Sequence, residues 1–94
     1  MQDDESCRQI EVKIVNPQGM HARPVMRFID IASQFSSQIR IYKGEMSVDG
    51  KSPMEMMLLE AIQGTVLRLE ATGADADQAL EKLAELINDG FGEN

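Results

Sequence analysis

His21, the only histidine in the chain, lies in the stretch Gly19-Met20-His21-Ala22-Arg23-Pro24. A neutral imidazole carries one unprotonated nitrogen, which is a nucleophile towards phosphorus. Two residues on, Arg23 supplies a planar, permanently charged fork that matches phosphate oxygens. Each residue alone has a plainer reading: a histidine near a helix start is commonly a cap or a surface group, an arginine a solvated charge, and Pro24 a helix-start residue. Together they describe a surface that accepts and holds a phosphoryl group. They describe hydrolysis poorly, because no second general base stands nearby in the sequence.

The elements that must position these groups follow from the pattern around them. Val25, Phe28, Ile29, Ala32 and Phe35 recur at helical spacing, which predicts a helix over 22–34 and puts His21 at or beside its N-cap. The free N–H groups of a first turn and the positive end of the helix dipole both favour an anion there. Pro24 offers no N–H but stiffens that turn, and Gly19 permits the tight bend that leaves the ring exposed. Upstream, "IEVKIV" (10–15) alternates as a half-buried strand does, and "NPQG" (16–19) breaks it as a turn.

Downstream, "QIRIYK" (38–43) alternates again, Lys43-Gly44 suits a hairpin, and "EMSV" (45–48) is the returning strand. Ser52-Pro53-Met54-Glu55 reads as a helix start, with Ser52 as N-cap, Pro53 at the first position and Glu55 closing a capping box. A short Met-rich helix then runs to about residue 60. "TVLRLEA" (65–71) is a fourth strand, Asp75 the next N-cap, and 76–88 a last helix that buries Ala79, Leu80, Leu83 and Ile87 and stops at Gly90. The order predicts an α+β fold: a four-stranded, mostly antiparallel sheet covered on one face by three helices, a βαββαβα open-faced sandwich. Glu11, Lys13, Arg40, Tyr42, Arg68 and Glu70 interleave with the core positions and mark the wetter face. Residues 1–8 read as a flexible leader and 9–94 as one domain.

Composition narrows the chemistry further. Ninety-four residues build one modest core and cannot enclose a deep substrate cavity, so any chemistry sits on the surface. Nine Lys and Arg against sixteen Asp and Glu give a net charge of -7, which opposes binding to nucleic acid or to an anionic membrane and points to protein partners. Cys7 is the only cysteine, so the sequence offers no disulfide framework and no Cys/His metal site, and no cofactor is implied. A reducing cytoplasm fits, and no apolar run has bilayer-spanning length. "GEMSVDGKS" invites a phosphate-loop reading but fails on spacing, since five residues separate Gly44 from Gly50 where that motif has four.

The stretch Gly19 to Pro24 resembles the active-site signature of the HPr family, the histidine-containing phosphocarriers of the phosphoenolpyruvate-dependent sugar phosphotransferase system. The order of elements, "GKS" before a Met-rich short helix, "QGT" before the fourth strand and "TGADADQAL" at the last helix resemble it too, so only the leader falls outside. The resemblance implies a phosphoryl carrier rather than an independent enzyme. His21 would accept the phosphoryl group on Nδ1 from phosphorylated enzyme I and pass it to enzyme IIA components of sugar uptake or regulation, with Arg23 stabilising the phosphate. Pro53, Met54 and Met57 would be partner contacts, the competing reading being that the methionines are core. A monomer is expected of a carrier that shows one face to successive partners.

Ser52 matches the serine that HPr kinase/phosphorylase modifies in many members of the family. Pro53 and Glu55 depart from the aliphatic and small residues found beside it in the best-known regulated members, and the charge of Glu55 weighs against kinase recognition. The plainer reading of Ser52 is a helix cap. The alternative function is an HPr-like regulatory effector controlled through Ser52 rather than a transport carrier. The presence of His21 speaks against it, because an effector alone needs no nucleophile.

Overall fold

A computed structural model describes residues 6–93. Strands β1 (Cys7–Lys13), β2 (Gln38–Lys43), β3 (Met46–Asp49) and β4 (Val66–Thr72) form one sheet in the order β1-β4-β2-β3, and every pairing is antiparallel. Helices α1 (Ala22–Ala32), α2 (Pro53–Met57) and α3 (Ala76–Asn88) cover one face, and a 3-10 turn (Gly90–Gly92) follows α3. The alternation in the strands fixes which side chains meet the helices. Val12, Ile39, Ile41, Val48, Leu67, Leu69 and Ala71 pack against Val25, Phe28, Ala79, Leu83 and Ile87 in the single core.

The open face carries a polar network that keeps it wet and in register. The Arg68 guanidinium lies 4.0 Å from the centre of the Tyr42 ring, while the Tyr42 hydroxyl donates to Glu70 at 3.0 Å. Gln9 of the edge strand β1 joins both, donating to Glu70 and accepting from Arg68.

Several boundaries differ from the sequence reading, each for a local reason. β1 begins at Cys7, with Cys7 and Arg8 paired to Thr72 and Ala71, because β4 runs on to Thr72 and offers them partners. The leader expected over 1–8 therefore gives way to strand two residues early, and residues 1–5 lie outside the described residues. α1 stops at Ala32 rather than Gln34, since the chain must turn to enter β2 and the N–H groups of Ser36 and Ser37 are taken by Asp75. α2 ends at Met57, and Glu60 adopts a left-handed φ of 48° that no helix continues through.

Two caps also differ. Ser52 caps α2 as expected, its Oγ accepting from the Glu55 N–H at 3.2 Å, but the box is not closed. The Ser52 N–H already donates to the Asp49 carbonyl, so the Glu55 carboxylate accepts from the Asp49 N–H instead, at 2.9 Å. Asp75 stands at the N-cap position of α3 without capping it. Its carboxylate accepts from the backbone N–H groups and hydroxyls of Ser36 and Ser37, tying the α1–β2 loop to the start of α3. Those bonds, led by the one from the Ser37 hydroxyl, hold its pKa down at about 2 against an ordinary 3.8.

Candidate functional site

The turn that carries the histidine is built from Asn16 to Gly19, closed by the Gly19 N–H donating to the Asn16 carbonyl at 3.1 Å. Gly19 has a φ of 68°, and a Cβ there would stand 2.4 Å from the Ala61 carbonyl oxygen. Only glycine fits both the left-handed backbone and that approach. Met20, 5% exposed, then anchors the segment in the core while its N–H donates to the same Ala61 carbonyl at 2.8 Å. The loop after α2 is thereby locked against the histidine turn.

His21 is the N-cap residue of α1, with extended backbone and a side chain that makes no capping bond. Its carbonyl accepts the first helical bond from Val25 at 3.1 Å, while its ring stays 41% exposed. The N–H groups of Ala22 and Arg23 belong to the first turn and have no intrahelical acceptor. Pro24 and Val25 are buried, which fixes the turn, and Arg23 projects to solvent beside the ring. The result is a shallow, open depression of about 410 Å³ lined by Pro17, Gln18, His21, Arg23 and Glu93. It offers an exposed nucleophile, a fixed positive charge and free backbone donors, which is what an anion arriving from solvent requires.

The structure thus brings His21 and Arg23 together as their spacing suggested. Pro53, Met54 and Met57 lie apart from that depression on α2, all exposed, with Met54 82% accessible, whereas Met56 and Leu59 are fully buried. The competing core reading therefore applies to Met56 and not to Met54 or Met57. Leu58 and Ile62, at 63% and 71%, extend the same apolar surface and were not singled out from the sequence, because a short helix apolar nearly all round does not reveal which side it shows. Ser52 begins α2, half-buried, at the edge of this surface. Glu93 was also missed. Its carboxylate oxygens lie 3.2 and 3.4 Å from His21 Nε2, yet 72 residues separate the two in the chain. Among the described residues no helix is long and apolar enough to cross a membrane.

Fold and site together define a class: a small open-faced α+β sandwich that presents one histidine at a helix start, in an open depression beside a permanent positive charge. The family model described as the PTS HPr component phosphorylation site matches residues 8–89. The phosphocarrier protein HPr of Neisseria meningitidis serogroup A is 45% identical over 82 residues, covering 87% of this chain and 92% of that protein. That of Pseudomonas aeruginosa is 42% identical over 85 residues, covering 89% and 94%. The crystal structure of HPr-C-His from Thermoanaerobacter tengcongensis superposes with a TM-score of 0.89 at 41% identity, covering 93% of this chain and 98% of that one. The chain belongs to the HPr family of phosphocarrier proteins of the phosphotransferase system.

Proposed function

We propose that His21 is the phosphoryl acceptor of this carrier, taking the group on Nδ1 from phosphorylated enzyme I and delivering it to enzyme IIA components in the cytoplasm. The observation that carries the reading is the half-exposed His21 ring at the N-cap of α1, committed to no capping bond and flanked by Arg23. A lone pair of the imidazole forms the N–P bond as the bond from phosphorus to the donor breaks, the donor keeping its electron pair. The phosphoryl oxygens then face the Ala22 and Arg23 N–H groups and the guanidinium of Arg23. Transfer onward reverses these steps on a new acceptor. The protein therefore turns over no free substrate by itself, and partners must supply and remove the group.

The test is incubation with enzyme I and phosphoenolpyruvate. The wild type is expected to gain one acid-labile, base-stable phosphate, and His21→Ala to gain none while unfolding at the wild-type temperature, since the exposed ring adds little to the core. An acid-labile phosphate on His21→Ala would remove His21 from the mechanism.

A further inference from the structure

The loop that follows α2 is bent in a way its sequence does not favour. Glu60 holds a left-handed φ of 48° although it is not glycine, and the residue is exposed. A Cβ opposes that backbone, so the turn persists only where the surroundings hold both of its flanks. Those flanks are Leu59 and Ala61, both buried. From Ala61 onward the chain is tied by short-range bonds and by the end of β1. The Ala61 carbonyl accepts from the Met20 N–H at 2.8 Å, the Ile62 N–H donates to the Thr65 hydroxyl at 3.1 Å, and the Gly64 N–H donates to the Ile14 carbonyl at 2.7 Å.

The other flank is held from a distance. Lys43, the last residue of β2 and half-buried, reaches across 16 residues of chain and donates from Nζ to the Leu59 carbonyl at 2.6 Å. That carbonyl belongs to a fully buried residue just past the end of α2, and it receives no backbone N–H among the described residues. The chain has sixteen Asp and Glu, yet among the described residues Lys43 forms no ion pair. Its ammonium group is committed to a neutral main-chain oxygen that would otherwise be buried without a donor.

We propose that Lys43 is a positioning residue for partner docking: it pins the Leu59 carbonyl, and with it the left-handed turn at Glu60 that sets exposed Leu58 and Ile62 on either side. The proposal rests on the carrier reading, in which partners meet α2 and the loop after it. Without the clamp the buried carbonyl loses its donor, and Glu60 relaxes towards an ordinary backbone. That movement displaces Leu58 and Ile62 and opens the bond between Ala61 and Met20. Met20 stays anchored by its buried side chain, so the histidine turn is kept and the loss falls on docking rather than on the transfer step.

Two substitutions separate the stem of Lys43 from its donor. Lys43→Met keeps an apolar stem without the donor, and Lys43→Arg keeps a charged donor. In transfer from phosphorylated enzyme I, with each variant shown to be folded by circular dichroism, Lys43→Met is expected to raise the apparent KM roughly threefold to tenfold, the scale of one lost hydrogen bond. Its kcat should stay near the wild-type value, and Lys43→Arg should recover most of the KM. Adding Glu60→Gly to Lys43→Met, with Glu60→Gly alone as reference, should also lower KM, because glycine takes the left-handed turn unaided. The nitrogen–carbon coupling across the Met20–Ala61 hydrogen bond, read by NMR on the free protein, should be present in the wild type and Lys43→Arg and lost in Lys43→Met. A wild-type KM in Lys43→Met overturns the proposal, as does a raised KM that neither Lys43→Arg nor Glu60→Gly lowers, or a coupling that survives in Lys43→Met. The coupling needs no phosphate, so a wild-type protein that accepted none would end the carrier reading while the coupling still decided whether Lys43 holds the loop.

Discussion

Arg23 projects from the first turn of α1 beside the imidazole and has no acceptor for its side chain among the described residues, so on the proposed mechanism its guanidinium would meet the phosphoryl oxygens as they arrive. Removing one charge-assisted contact costs about 1.5–3 kcal/mol, which predicts that Arg23→Ala slows transfer by roughly tenfold to a hundredfold without abolishing it, because the helix N–H groups remain. Arg23→Lys should recover only part of the rate, since a point charge replaces a planar fork. Single-turnover rates from phosphorylated enzyme I decide it, and wild-type values in both variants would remove Arg23 from the mechanism. His21 and Arg23 were legible in the sequence because everything that gives them meaning, the glycine turn, the helix start and the proline, lies within a few residues of them. Glu93 was not. A carboxylate near a chain end reads as solvated, and its path back to His21 depends on Phe91 holding a left-handed backbone that no local rule assigns to phenylalanine.

The elements themselves followed from periodicity, down to the bounds of β2 and α3, because a strand or helix half-buried on one face must repeat its apolar residues at two or 3.6. What periodicity leaves open is where a polar side chain spends its hydrogen bonds. Asp75 has the residue type and position of an N-cap, yet the N–H groups of Ser36 and Ser37 meet it first, and it braces the α1–β2 loop against α3 instead. Its ionised form is favoured in the folded protein, with a pKa of about 2 against 3.8, so its contribution to stability is complete above about pH 4. As pH falls from there through about 2 the native carboxylate is protonated and the contribution is lost. Asp75→Asn should therefore unfold at lower urea than the wild type at neutral pH, and the gap should close over that window. A gap that stays constant between pH 5 and pH 2, about the range in which a carboxylate titrates, would show that the charge of Asp75 does not support the loop.

Across the whole molecule a net charge of -7 keeps most of the surface polar, yet α2 and the loop after it show Met54, Met57, Leu58 and Ile62, exposed from 45% to 82%. The Gly19 turn approaches Ala61 and Ile62, which ties the loop after α2 to the turn that carries the imidazole. On the proposed carrier reading, a chain too small to enclose a reaction must have water excluded by its partner, and an adaptable methionine surface on α2 would suit docking against more than one. Negative charge placed there should oppose desolvation. Met54→Asp and Ser52→Asp are thus expected to raise the apparent KM for phosphorylation by enzyme I while leaving kcat near wild type. Neither should be unstable: Met54 is 82% exposed, and a carboxylate at residue 52 stands at the positive end of α2, whereas Ser52→Ala loses the cap and about 1 kcal/mol. Met56→Ala is the contrasting case, two residues from Met54 but fully buried, and should cost about 2–5 kcal/mol of stability with no change in KM for the folded fraction. Thermal unfolding and steady-state transfer on the four variants test the assignment together. Wild-type KM in Met54→Asp would mean that partners dock elsewhere, and wild-type KM in Ser52→Asp would leave Ser52 as a helix cap with no regulatory reach over this step.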